Sequence, residues 1–308
     1  MRLGFVFPGQ GAQYVGMGKE IAWTFKEAMD VLKNADEILG YSISKLCFEG
    51  EESELNKTVY AQPAILAVSL AILEVVRRQG LDASIYAGLS LGEYTALSAA
   101  GVLRLEEVLP LVAKRAEIMQ DAVPLGRGAM AAVLGLKSIE VEEILSEIDG
   151  IVEIANYNCP GQMVISGEKN AVERAAEKIN FIGGKAKILA VSIPSHSSMM
   201  KEAADEFREC LTGINFKPAR GKVVSNVNAR ENPVEDLPDI LAKQLYSPVR
   251  WEESIRYMLN EVDYLVEIGP GTVLSGLIKR IDKKRLLGNV EDVKSFDKLM
   301  KEAEKLGK

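Results

Sequence analysis

The run Gly88-Leu89-Ser90-Leu91-Gly92 has the G-x-S-x-G spacing of a nucleophile elbow. The chemistry explains the spacing. A strand that turns sharply into a helix crowds its own backbone, so small residues must flank the serine. The hydroxyl is then held above the strand end. The N–H of Leu91 points to where an oxyanion would form, and the helix dipole adds partial positive charge there. A plain strand–helix turn uses the same glycines, so the pattern needs a partner before it means catalysis.

A serine hydroxyl needs a base. His196 is the only histidine in 308 residues, so a Ser–His pair has one solution. It follows Pro194, in a stretch predicted to lead back into the main sheet, and loops leaving rigid elements often carry catalytic groups. The third member of a triad is missing: no acidic residue between Ser90 and His196 stands out. An ordinary α/β-hydrolase keeps the order Ser, Asp/Glu, His with the histidine late, whereas a long stretch of chain follows His196 here. The order argues against such a hydrolase. A backbone carbonyl is an alternative acceptor for the Nδ1 proton.

The loop Phe7-Pro8-Gly9-Gln10-Gly11-Ala12-Gln13 is neither a dinucleotide fingerprint nor a P-loop, because Tyr14 and Glu20 occupy decisive positions. Gln10, flanked by glycines after a strand, can offer its main-chain N–H as a second oxyanion donor. A tight turn that simply needs glycines fits the same residues.

The elements that must position these groups follow from hydropathy. Strands are predicted at 3–7, 84–87, 222–227 and 262–268, with helices between them that include 93–100 and 105–121. That alternation predicts a mostly parallel α/β sheet. Between 129 and 191 the order becomes β-α-β-β-α-β, the ferredoxin-like arrangement. The predicted division is a large α/β part, 1–125 and 196–308, carrying a small ferredoxin-like part, 126–195. The apolar stretch from Ala64 to Val76 follows Gln62-Pro63 and is predicted to be a core helix with Pro63 in its first turn.

Composition narrows the class. Lys and Arg number 37 against 44 Asp and Glu, a net charge of −7, which argues against a general nucleic-acid binder. Cys47, Cys159 and Cys210 lack metal or disulfide spacing and read as free thiols in a reducing compartment. The N-terminal apolar run is short for a signal peptide, and the 64–76 stretch is short for a membrane span. The expectation is a cytoplasmic protein with no nucleic-acid or membrane partner.

With these pieces placed, the sequence resembles the malonyl-CoA:acyl carrier protein transacylase family along nearly its whole length. The motifs are Phe7-Pro8-Gly9-Gln10-Gly11, Gly88-Leu89-Ser90-Leu91-Gly92-Glu93-Tyr94, Met119-Gln120-Asp121-Ala122-Val123-Pro124, Asn156-Tyr157-Asn158-Cys159-Pro160-Gly161-Gln162, Pro194-Ser195-His196, Gln244-Leu245-Tyr246-Ser247-Pro248-Val249 and Glu267-Ile268-Gly269-Pro270-Gly271. The resemblance implies a hydrolase-like α/β domain with a ferredoxin-like insertion. It implies that Ser90 is the acylated nucleophile, His196 its base, and the N–H groups of Gln10 and Leu91 the oxyanion hole. It also implies that a carbonyl around Gln244 orients His196, that Arg115 grips the malonyl carboxylate, and that Asn156 lies at a polar pocket position. The partners would be malonyl-CoA and acyl carrier protein, with no metal or bound cofactor.

One position departs from the family pattern. Leu89 stands where the family usually has His, which leaves the general base intact and bears on acyl selectivity. A thioesterase or esterase, a polyketide-pathway acyltransferase and a non-catalytic carrier-binding scaffold are the competing readings. The cluster Lys279-Arg280-Ile281-Asp282-Lys283-Lys284-Arg285 reads equally as a docking patch for an acidic carrier or as a solvated helix end.

Overall fold

A computed structural model describes residues 1–307. Five strands form a parallel sheet in the order β7-β2-β1-β8-β9: β1 (Leu3–Phe7), β2 (Ile85–Gly88), β7 (Lys222–Val224), β8 (Tyr264–Ile268) and β9 (Leu286–Val290). β1 is buried along its whole length, as a central strand of a parallel sheet covered on both faces must be. Its C-terminal end and that of β2 lie side by side, with Phe7 opposite Gly88. The loops carrying Gln10 and Ser90 therefore leave the sheet together.

The second sheet is antiparallel, in the order β4-β5-β3-β6, built from β3 (Gly128–Leu134), β4 (Val152–Cys159), β5 (Gln162–Glu168) and β6 (Lys185–Ile188). With α8 (Ser138–Ser146) and α9 (Lys169–Phe181) this is the ferredoxin-like order. Its edge strand β4 reaches the larger part. Val249 N–H donates to the Ala155 carbonyl at 2.8 Å, and Tyr157 N–H to the Val249 carbonyl at 2.9 Å. The small sheet is thus bonded to the segment that follows Gln244.

Helices α1 (Lys19–Thr24), α2 (Lys26–Leu39), α3 (Ile43–Glu49), α4 (Glu52–Leu55) and α5 (Thr58–Arg78) fill the span between β1 and β2. α5 corrects one expectation: Pro63 lies inside the helix rather than in its first turn, because the helix begins at Thr58. Burial of most of its residues outweighs the one backbone hydrogen bond a proline removes. α5 is long and apolar enough to cross a bilayer by composition, but 78% of its most apolar window is buried inside the protein.

α6 (Gly92–Ala99) and α7 (Leu105–Asp121) follow the elbow. After β6 come α10 (Lys201–Thr212), α11 (Leu237–Gln244), α12 (Trp251–Glu261), α13 (Val273–Asp282) and α14 (Val293–Lys305). Two parts of the sequence reading change here. The strand predicted at 222–227 ends at Val224, because Asn226 turns away to serve the elbow. The strand β9 was not anticipated. It runs through residues directly after the basic cluster, and Arg285 of that cluster turns inward. Its guanidinium donates to the carbonyls of Leu259, Val262 and Asp263, around the C-terminus of α12. Arg285 is therefore a helix-end clamp and does not belong to a docking patch.

Candidate active site

The elbow is sterically forced. Ser90 has φ +51°, a left-handed conformation that only an over-determined turn imposes on a residue with a side chain. A Cβ on Gly88 would collide with the backbone of Gly92, and one on Gly92 with the Phe7 carbonyl oxygen. Strand, turn and helix thus touch backbone to backbone, which only glycine permits. Asn226 braces the turn: Ser90 N–H donates to its Oδ1 at 2.6 Å, and its Nδ2 donates to the Gly88 carbonyl at 2.7 Å.

His196 meets the elbow from the far side. Its Nε2 lies 2.9 Å from Ser90 Oγ, and its Nδ1 lies 2.8 Å from the Gln244 main-chain carbonyl. A carbonyl only accepts, so Nδ1 carries the proton and Nε2 is bare to receive the serine proton. His196 also has a positive φ, +62°, and its N–H donates to the Leu245 carbonyl at 2.9 Å. Burial, then the nearby Arg115 charge, lower the imidazole to about 4. The base is therefore neutral at physiological pH.

Arg115 comes from α7 and is 1% exposed. Its Nη1 donates to Gln62 Oε1 at 2.6 Å. Its Nη2 donates to Gln244 Oε1 at 3.0 Å and to Ser90 Oγ at 3.2 Å. The guanidinium lies 5.2 Å from the Tyr94 ring centroid, a cation–π distance. Burial pulls its pKa down from the ordinary value, and Tyr94 and Glu93 push it back. A planar cation fixed by two glutamine side chains beside the Ser90 hydroxyl has the chemistry to accept a carboxylate.

The other expected residues fall as follows. The Gln10 side chain is anchored to Thr58 Oγ1 at 3.0 Å. Among the described residues, neither the Gln10 nor the Leu91 N–H has a protein acceptor, so both amides are free to receive an oxyanion. Asn156 is buried on β4 beside a bulge and bridges to Val249, but no polar contact brings its side chain to Ser90, His196 or Arg115. Among the described residues, no group of His, Cys, Asp and Glu is placed to hold a metal ion.

Sequence reasoning missed Gln62, Asn226 and Glu93. Glu93 carries a readable signal: it is the one charged residue in α6, a short helix buried almost all round. Its carboxylate accepts from Asn226 N–H and Gln244 Nε2 and makes no bond to His196. A buried acid is present, but it is not the third member of a triad.

An elbow serine, a neutral histidine held by a carbonyl and two free amides define an acyl-transfer site. The chain belongs to the acyl transferase domain family, whose pattern matches residues 4–304. It is 43% identical over 302 residues to the malonyl CoA-acyl carrier protein transacylase of Bacillus subtilis (strain 168), covering 96% of this chain and 95% of that relative. The crystal structure of malonyl CoA-acyl carrier protein transacylase from Clostridium perfringens Atcc 13124 superposes with a TM-score of 0.96 at 44% identity, over 99% of this chain and 98% of that one. A malonyl-transacylase solved in complex with its type II PKS acyl-carrier protein superposes with a TM-score of 0.95 at 41% identity, covering 99% and 100%.

Proposed function

We propose that this protein moves a malonyl group from malonyl-CoA to the phosphopantetheine thiol of acyl carrier protein through a malonyl-Ser90 intermediate, as a cytoplasmic enzyme of fatty acid synthesis. The observation that carries this reading is Arg115 Nη2, a buried cation 3.2 Å from Ser90 Oγ. A nucleophile that handled neutral acyl groups would have no use for that charge, and burying it is costly.

In the first half-reaction His196 Nε2 takes the Ser90 proton as Oγ attacks the thioester carbonyl. The tetrahedral oxyanion rests on the Gln10 and Leu91 amides. The Gln244 carbonyl holds the imidazolium. Collapse breaks the C–S bond, and His196 returns its proton to the departing CoA thiolate. In the second half the carrier thiol gives its proton to His196, attacks malonyl-Ser90 and restores the hydroxyl. Arg115 holds the malonyl carboxylate throughout. The same reading divides the chain into a large part, 1–125 and 196–308, which supplies Ser90, His196 and Arg115, and a small part, 126–195, whose strand β4 pairs with Val249 of the large part.

Intact-mass spectrometry tests the proposal. Malonyl-CoA should add one malonyl group to the protein and none to Ser90→Ala. Added holo-carrier should then discharge the adduct onto itself. Release of free malonate with no malonyl-carrier would replace transfer by thioesterase chemistry. The likeness to the type II PKS complex favours one further possibility, the same transfer to a carrier of that type. Discharge rates onto the two kinds of carrier separate them.

A further inference from the structure

Glu93 is a buried acid that the proposed steps do not use. It sits in the first turn of α6, 1% exposed. Burying a carboxylate is costly unless its oxygens are bonded. One of its oxygens, Oε2, accepts from Gln244 Nε2 at 2.6 Å and from Asn226 N–H at 3.1 Å. Burial holds its pKa above the ordinary carboxylate value, and the bonds from Asn226, Gln244 and Ser225 and the Arg115 charge undo only part of that rise.

The Gln244 amide has two ends with opposite hydrogen-bonding character. Nε2 also donates to the Ser90 carbonyl at 3.1 Å, while Oε1 accepts from Arg115 Nη2 at 3.0 Å. A guanidinium has only donors, and an ionised carboxylate has only acceptors. Between them the amide can face one way. Rotated by half a turn, its NH2 would oppose Arg115 and its oxygen would oppose Glu93.

The amide is also a spacer. Among the described residues, the Arg115 hydrogen bonds go to Gln62, Ser90 and Gln244, with no direct ion pair to Glu93. The acid supplies counter-charge from beyond Gln244 and leaves the Nη2 proton that points to Ser90 free of a competing carboxylate. The same oxygen steadies Asn226, which holds both Ser90 N–H and the Gly88 carbonyl.

We infer that Glu93 is a positioning residue: its carboxylate fixes the orientation of the Gln244 amide and so keeps Arg115 aimed at the acyl group on Ser90. This rests on the malonyl-transfer reading above and adds a determinant of acyl selectivity that touches no substrate. Loss of the Asn226 bond alone would slow all acyl groups alike. Loss of Arg115 alignment penalises malonyl in particular.

The test is the ratio of Ser90 acylation rates with malonyl-CoA and acetyl-CoA, read by quenched intact-mass spectrometry. Wild type comes first: without a malonyl preference the functional reading fails, independently of Glu93. Given that preference, Glu93→Ala should lower the ratio by about tenfold or more, the loss expected for one charge-assisted hydrogen bond. Glu93→Gln keeps an acceptor in place and should stay within about threefold of wild type. A folded Glu93→Ala with the wild-type ratio overturns the inference, as does a Glu93→Gln as impaired as Glu93→Ala. If Glu93→Ala does not fold, Glu93→Asp decides. It keeps the charge but withdraws the oxygen by one methylene, so the ratio should fall; an unchanged ratio overturns the inference.

Discussion

His196 Nδ1 donates to the main-chain carbonyl of Gln244 at 2.8 Å, where a triad would place an acid. A carbonyl orients the ring without lending it a full negative charge, so the backbone bonds at Gln244 and Ser247 offset only part of the burial and the Arg115 charge that bring the imidazole to about 4. The base must be neutral to accept the serine proton. The acid limb of kcat/KM for Ser90 acylation should therefore be centred near pH 4, with the rate level above about pH 5. A limb centred near the ordinary histidine value would show that the imidazole is not desolvated. Stability carries the same signature. The folded pKa lies below the unfolded one, so the unfolded chain binds the proton first. Stability is unaffected above about pH 6.5 and declines as pH falls from there toward 4. His196→Gln should lack that component of the slope in urea titrations.

Arg115 makes three contacts through two terminal nitrogens, and a lysine ammonium cannot reproduce their planar spacing. Arg115→Lys should reduce malonyl transfer by about 100-fold while changing acetyl transfer far less. Arg115→Ala leaves the buried Gln62 and Gln244 oxygens without a donor and should cost a further ~1–3 kcal/mol of stability. Acylation rates with both thioesters, together with urea melts, check both effects. A malonyl preference that survives in Arg115→Ala refutes the clamp.

The elbow predicts opposite outcomes for two glycine-to-alanine changes. In Gly92→Ala the new methyl runs into the Phe7 carbonyl, which is backbone and cannot step aside. Acylation should be lost and the melting temperature should fall. In Gly276→Ala, within α13, the methyl meets nothing within 4 Å, and stability should rise by about 0.5–1 kcal/mol. Thermal melts of the two variants side by side are sufficient.

The pairing of Ser90 with His196 was readable because residue type and scarcity single them out. A G-x-S-x-G turn and a single histidine leave one pairing, and the chain order of the small sheet's elements and four of the five strands of the large sheet follow from hydropathy patterning. The residues that hold those groups were not readable. Asn226 and Gln62 are ordinary amides far from Ser90 in sequence, and only the packing of β7 against β2 and of α5 beside α7 brings them to it. The helices α10, α11 and α12 lie between strands whose own patterns drew the reading. β9, an edge strand with Gly288 at its centre, was hidden beside a charge cluster. Arg285 shows why such clusters mislead: composition gives the charge, and only tertiary structure shows that this one faces inward.

Leu89 permits a last experiment on the departure from the family pattern. Its side chain is half-buried and packs against the apolar cluster that includes Val6, Val249, Trp251 and Leu274. Ser90 Oγ already has His196 on one side and Arg115 on another. An imidazole introduced at position 89 would thus have no proton to take from the nucleophile. Leu89→His should acylate Ser90 within about threefold of the wild-type rate and lose about 1 kcal/mol of stability through its weaker apolar packing. The decisive measurement is the double variant with His196→Ala, which should be as inactive as His196→Ala alone. If Leu89→His restored acylation there, residue 89 would reach the serine, and the assignment of His196 as the sole base would fall.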